Sequence, residues 1–196
     1  MFSYDRIADE FSQSRINFKS SELPVFEELL GRLKPNSRVL DVGCGTGLPV
    51  ARLFCEHGHR VKGFDLSKSL IQLARKNIPL GSFHVGDMLS FQPQGRFDAV
   101  VAWDSVFHIE PSKHAEVYLN FANWLYPEGW LLTSIGGEAG EFTAPMFGHD
   151  FHYGGLAPEE ARKLIEKQGI NIVYWKIDDP SSRGHIAVLG QKIASN

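Results

Sequence analysis

The sequence has only two cysteines and three methionines, no long apolar run, and no large surplus of either charge. Cys44 and Cys55 are too few for a disulfide framework or a structural zinc site, which fits a reducing compartment. No window approaches the roughly 18 apolar residues that a membrane span needs, so no membrane association is expected. The opening MFSYDRIADEF brings in charge early and lacks the apolar stretch of a secretory leader, so the expected location is cytoplasmic. With 20 basic against 23 acidic side chains the formal charge is -3, well short of the positive field that holds a phosphate backbone. No nucleic-acid partner is therefore expected.

What is present suits a folded enzyme-sized domain. At 43% hydrophobic and 22% charged, the 196 residues can bury one substantial core, so residues 1–196 are expected to form a single domain. Apolar, β-branched runs at 38–42, 60–65, 82–85, 97–102 and 130–135 read as strands, and 170–177 and 185–191 as a closing antiparallel pair around the turn DDPSSRG. Stretches of helical period separate them. Phe26, Leu29, Leu30 and Leu33 share one face, 48–57 forms the next helix, and Ser67 caps a helix that turns Leu70, Ile71 and Ala74 inward. Apolar positions 115, 118, 119, 122, 125 and 126 trace another stripe, and a last helix starts at Pro158. This alternation predicts an α/β fold: a doubly wound, seven-stranded, mostly parallel sheet with an antiparallel last strand and helices on both faces. Residues 136–157, rich in glycine, histidine and aromatics, show no clean period and read as a long loop over a pocket.

The segment VLDVGCGTGLP, 39–49, carries the chemistry. A strand ending in Asp41 runs into Gly43, Gly45 and Gly47 and then a helix, so the backbone can turn tightly and let a ligand approach. Asp65, at the end of the next strand, stands where a carboxylate accepts from the hydroxyls of a ribose. A dinucleotide fingerprint needs a further glycine where this chain has Leu48 or Val50, so the spacing is D-x-G-x-G-x-G instead.

That pattern resembles the first motif of the class I, Rossmann-like S-adenosylmethionine-dependent methyltransferases, of the small-molecule type. GFDLS at 63–67, GDM at 86–88, FDAVVAWDSVFHI at 97–109 and LYPEGWLLTSI at 125–135 follow in the order and spacing of that family. YDRIADEF at 4–11 looks like the N-terminal helix of its small-molecule members, so 1–34 is expected to be a helical cap and 136–157 a substrate cover. The resemblance implies that Asp41, Gly43, Cys44, Gly45 and Gly47 surround the methionine part of S-adenosylmethionine and that Asp65 takes the ribose hydroxyls. It further implies that Leu66 packs on the adenine, Asp87 accepts from its exocyclic amine, Met88 offers a backbone amide, and Trp103 lies near the reactive methyl. Core packing is the competing role for Leu66 and Met88, and an ordinary turn for Asp87.

Methyl transfer needs the nucleophile held in line with an activated donor, and a base only where a proton must leave. Position names Asp104 and His108 after the fourth strand, and His149, His152 and Tyr153 in the long loop, as candidate proton acceptors, with structural or surface roles as the alternative for each histidine. His149, Asp150 and His152 have the residue types of a metal site. Gly148, Gly154 and Gly155 oppose the helix that would align them, and no metal is expected. The N-P-P-Y type tetrad of members that methylate DNA amines or amide nitrogens is replaced by AWDS at 102–105. Phe107, Phe142, Met146, Phe147, Phe151 and Tyr153 suggest a partly apolar pocket for a small acceptor. The expected reaction is transfer to oxygen or nitrogen, with carbon a further option, giving S-adenosylhomocysteine. An S-adenosylmethionine-binding protein without transfer and an NAD-dependent oxidoreductase stand as alternatives, and the oligomeric state is left open.

Overall fold

The computed structural model describes residues 4–179 and 184–194. A short 3₁₀ turn, Tyr4–Arg6, leads into α1 (Ala8–Ser14) and α2 (Leu23–Arg32). The alternating part follows as β1 (Arg38–Val42), α3 (Val50–Glu56), β2 (Arg60–Asp65), α4 (Lys68–Asn77), β3 (Ser82–Val85), β4 (Phe97–Ala102), α5 (His114–Trp124) and β5 (Leu125–Ile135). Then come β6 (Gly140–Met146), β7 (His149–Gly155), α6 (Pro158–Lys167), β8 (Ile170–Asp179) and β9 (His185–Lys192).

The sheet order is β3-β2-β1-β4-β5-β9-β8, parallel from β3 to β5, with β9 antiparallel to both of its neighbours. This is the seven-stranded sheet with an antiparallel last strand expected from the sequence. Of the connecting turn DDPSSRG, residues 180–183 lie outside the described residues, as do residues 1–3 of the N-terminal cap.

Alternation along each strand explains the two helical layers, because successive side chains point to opposite faces. Val39, Val101 and Leu132 join a core with Phe26, Phe54 and Ile71 of α2, α3 and α4. Leu40, Val100 and Leu131 join a second core with Tyr118, Phe121 and Ile165 of α5 and α6. Strands buried on both faces are nearly continuous in apolar residues, as in FDAVVA, where Asp98 alone is polar. Ser67 caps α4 as expected, its hydroxyl accepting from the Leu70 amide at 3.1 Å.

Three boundaries differ from the sequence expectation. Helix α3 begins at Val50 rather than at 48. The stripe read through 125 and 126 stops at Trp124, and those residues open β5, because Pro127 pushes Tyr126 toward extended backbone. The third is the largest: 136–157 is not a long loop but holds the ribbon β6/β7, paired from Gly140↔Gly155 to Met146↔His149. Its two turn residues, Phe147 and Gly148, have φ of 49° and 76°, the left-handed pair that matches hairpin twist. The ribbon stands outside the main sheet and is largely exposed, so it lacks the alternation that marks a half-buried strand. No helix among the described residues is long and apolar enough to cross a membrane.

Phe26 is fully buried on α2 and meets Phe18, Phe54 and Trp103 with ring centroids 4.5, 6.3 and 5.0 Å away. Phe26→Ala should cost about 3 to 5 kcal/mol, the range for emptying a packed aromatic site, read as a lower urea midpoint. A loss below about 1 kcal/mol would show that α2 is not held by this cluster.

Candidate functional site

The strand order reverses direction between β1 and β4, and ligands of open α/β sheets bind at the carboxyl ends of strands at such a point. The turn after β1 is built by backbone that glycine alone adopts freely: Gly43, Gly45 and Gly47 have φ of 69°, 53° and 76°. A Cβ on Gly43 would lie 2.5 Å from the Cβ of Ser105, so the loops after β1 and β4 touch and tolerate no side chain between them. The amides of Gly43 and Cys44 both donate to the Phe64 carbonyl, at 2.9 and 3.0 Å, which ties the turn to β2.

Two carboxylates flank this turn. Asp41 is buried, and its Oδ2 has no hydrogen-bond partner among the described residues. Burial, and next the charge of Asp65, push its carboxyl up to about 8. Asp65 accepts from the Gly45 amide at Oδ2 and from the Ser67 amide at Oδ1, each at 2.9 Å. Burial raises its carboxyl above the usual range despite those two bonds. Beside it, Leu66 is 53% exposed, which removes the core-packing alternative for that residue. Met88 is half-buried and packs against the second core, its carbonyl accepting from Asn120 Nδ2 at 3.2 Å. Asp87 accepts from the Leu89 amide at 2.9 Å. Cys44 is buried within the turn, and burial lifts its thiol well above the ordinary value.

A second polar group lies along the same edge of the sheet. Asp104, two residues past β4, holds φ of 52°, and its backbone amide donates to Ser134 Oγ at 2.8 Å. Arg15 donates to Asp104 Oδ2 at 2.8 Å and to both oxygens of Glu22 at 2.7 and 3.1 Å. Trp103, buried, donates its indole N–H to Glu22 at 3.2 Å. His185 bridges Asp104 and Asp178, at 2.9 Å from Nε2 and 2.5 Å from Nδ1. Burial would lower the pKa of His185, but the hydrogen bonds to Asp104 and Asp178 outweigh it and hold the ring at about 9. Burial would likewise raise Asp104, and His185 and Arg15 reverse the direction, so Asp104 lies below the usual carboxylate range.

The structure separates the other four proton-acceptor candidates. His108 and Tyr153 come together, ring centroids 5.0 Å apart, and Tyr4 closes the group at 5.4 Å from His108 and 4.9 Å from Phe151. A carbonyl only accepts, so His108 Nδ1 donates to the His152 carbonyl at 3.2 Å, and Nε2 accepts from the Tyr4 hydroxyl at 2.8 Å. Burial holds the His108 pKa below its ordinary value, which favours this neutral form. The side chain of His152 points away from the group and pairs with Glu141 at 3.0 Å. His149 sits at the hairpin turn, where it pairs with Met146.

Sequence reasoning missed Arg15, Glu22, Asp178 and His185 as members of one group. A buried glutamate just before a helix and a histidine opening the last strand were the available signals, and neither names its partner.

The raised pKa of His185 fixes the sign of a pH effect. Its contribution to stability is complete below its unfolded value near 6.5 and is lost as pH rises through about 9. His185→Gln should therefore be most destabilising near pH 6, with the deficit, on the order of 2 to 3 kcal/mol, shrinking by pH 9.5. Urea denaturation of both proteins across that range checks this, and a pH-independent deficit would contradict it.

Residues 39–129 match the methyltransferase domain family. The chain is 43% identical over 76 residues to magnesium-protoporphyrin O-methyltransferase of Rhodobacter capsulatus, covering 36% of this chain and 33% of that protein. It is 35% identical over 95 residues to dTDP-3-amino-3,4,6-trideoxy-alpha-D-glucopyranose N,N-dimethyltransferase of Streptomyces venezuelae, covering 47% and 40%. The chain thus spans less than half the length of either relative. The fold superposes on the Burkholderia thailandensis 1,6-didemethyltoxoflavin-N1-methyltransferase, crystallised with 1,6-didemethyltoxoflavin and S-adenosylhomocysteine. The TM-score is 0.73 over 97% of this chain and 84% of that chain, at 19% identity. The glycine-turn core, residues 39–129, thus matches the methyltransferase domain family, and the chain as a whole shares the Rossmann-like fold of solved S-adenosylmethionine-dependent methyltransferases.

Proposed function

We propose that the chain moves the methyl group of S-adenosylmethionine to an oxygen or nitrogen of a small-molecule acceptor, releasing S-adenosylhomocysteine. The observation that carries this reading is the pair Asp41 and Asp65 on either side of a left-handed glycine turn at the switch point. The unpartnered oxygen of Asp41 and the absence of any Cβ at Gly43, Gly45 and Gly47 suit an amino acid portion bearing an ammonium. Asp65 then takes the ribose hydroxyls, exposed Leu66 offers an apolar face to the adenine, and Asp87 and Met88 border the ring. Trp103 supports the site through Glu22. When bound, S-adenosylmethionine supplies a methyl already activated on a sulfonium.

The rest of the site is the work of this chain's own residues. Residues 4–14 lie over the glycine turn, and the Phe11 ring comes within 3.4 Å of where a Gly45 Cβ would stand. Asp5 holds this segment down by accepting from Ser67 Oγ at 2.5 Å and the Ser69 amide at 2.8 Å. In this reading the cap, from residue 4 to residue 34, and the ribbon within 136–157 close over a small acceptor. Neutral His108 is able to take a proton there by way of the Tyr4 hydroxyl, which donates to its Nε2, with Tyr153 beside it. His149 and His152 stand further from that point. The protein works in this reading on a small molecule, in the cytoplasm, with both cysteines free.

Calorimetric titration with S-adenosylhomocysteine and with NADH tests the cofactor, and methyl release from labelled S-adenosylmethionine tests transfer. Binding of NADH alone would sink the reading, and tight S-adenosylmethionine binding without turnover over a broad acceptor panel would reduce it to a binding protein. Asp65→Ala should weaken S-adenosylhomocysteine by about 1 to 3 kcal/mol, the cost of unpaired buried donors. An unchanged dissociation constant would remove Asp65 from the ribose.

Asp41 gives a separate test. Held at about 8 by burial and then by Asp65, it is largely protonated at neutral pH, and a cation beside it drives ionisation. Binding of S-adenosylhomocysteine at pH 7 should release up to roughly one proton and tighten as pH rises toward 8. Titrations in buffers of different ionisation heat measure this, and Asp41→Asn should abolish it.

A further inference from the structure

We propose that Asp104 is the residue that selects the acceptor, and that the acceptor is an amine held by the Asp104 carboxylate at the end of β4, beside the N-terminal segment. The inference rests on the methyltransferase reading above.

Charge is the first ground. Among the described residues the connected group holds three carboxylates, Glu22, Asp104 and Asp178, against two cations, Arg15 and His185, and the nearby Lys19 is paired with Asp179, so one negative charge remains. Glu22 and Asp178 have 3% and 2% of their side chains exposed, while Asp104 has 37%, so the surplus is presented at Asp104. Both cations face carboxylates already: Arg15 spans Glu22 and Asp104, and both ring nitrogens of His185 are taken. The group therefore offers more to a donor or a cation than to an anion.

Geometry is the second. Over a third of the Asp104 side chain is open, so the carboxylate is within reach of a ligand. Its position is fixed through three contacts: Arg15 on one oxygen, His185 on the other, and Ser134 on its backbone amide. A carboxylate has about four acceptor positions, and the described partners, including Ser134 Oγ at 3.4 Å from Oδ1, leave room for another donor.

The third ground is what surrounds that point. Tyr4 lies within electrostatic reach of both Asp65 and Asp104, and it contacts His108 and Phe151. The aromatic group of Tyr4, Phe151 and Tyr153 suits a cationic or partly methylated nitrogen, since ring faces attract cations. Ser105, next in the chain, is 6% exposed, and its Oγ has no partner among the described residues while lying 3.2 Å from where a Gly43 Cβ would be. This buried hydroxyl stands between Asp104 and the glycine turn, at the junction of acceptor and cofactor. A carboxylate there accepts from an amine N–H and offsets the positive charge of an ammonium.

The test uses the full chain loaded with S-adenosylhomocysteine and two matched probe pairs: 2-phenylethylamine with 2-phenylethanol, and 3-amino-3-deoxyglucose with glucose. Ligand-observed NMR titration should show the amine binding at least about tenfold tighter than its alcohol in one pair or both. In Asp104→Asn that ratio should fall to within about threefold. Should the variant fail to fold, the wild-type ratio alone decides. Alcohols binding as well as amines, neither amine binding, or a preference that survives Asp104→Asn would each overturn the inference. Loss of S-adenosylhomocysteine binding by the wild type would overturn the methyltransferase reading as well, whereas intact binding without amine preference removes only this inference.

Discussion

The close approach of the loops after β1 and β4 is the constraint on which the site depends. With 2.5 Å between the place of a Gly43 Cβ and the Cβ of Ser105, only a residue without a side chain lets the two central strands end side by side. From that contact follow the left-handed turn into α3 and the positions of Asp41 and Asp65 on its flanks. The sheet exists to hold this crevice, and both helical layers exist to bury the sheet.

Electrostatics divide the crevice into two unlike halves. Around the glycine turn, burial raises the pKa values of Asp41 and Asp65. Along the edge from β4 to β8, Arg15 and His185 hold Asp104 ionised in spite of burial. One half is poised to gain from a positively charged cofactor, and the other holds its charge fixed before any ligand arrives. Arg15 belongs to the N-terminal segment, so the docking of that segment completes the second half as well as covering the first.

Much of the fold was legible because its parts are local. The seven strands of the sheet announce themselves as apolar runs, and the turn from Asp41 to Gly47 with Asp65 one unit later lies in a single βαβ stretch. The ribbon β6/β7 was not legible, since β6 is mostly exposed and β7 is buried only at Phe151 and Gly154, too little to impose alternation, and its turn uses Phe147 in a backbone region that a phenylalanine seldom adopts. His108 can be named from the sequence by its place after β4, but its neutral tautomer comes from Tyr4 and a ribbon carbonyl more than forty residues away in either direction.

The sequence by itself determined the layered α/β architecture, the glycine turn and the two acids that flank it, because periodicity, turn chemistry and strand-end position act over a few residues. Tertiary structure alone decided that Arg15, Glu22, Asp104, Asp178 and His185 share one cluster, since the contacts join chain segments up to 89 residues apart. Charge pairing across such distances leaves no periodic trace in the chain. It is set by which strand ends the sheet order brings to one edge, and in this molecule the insertion of β9 between β5 and β8 brings His185 to Asp104.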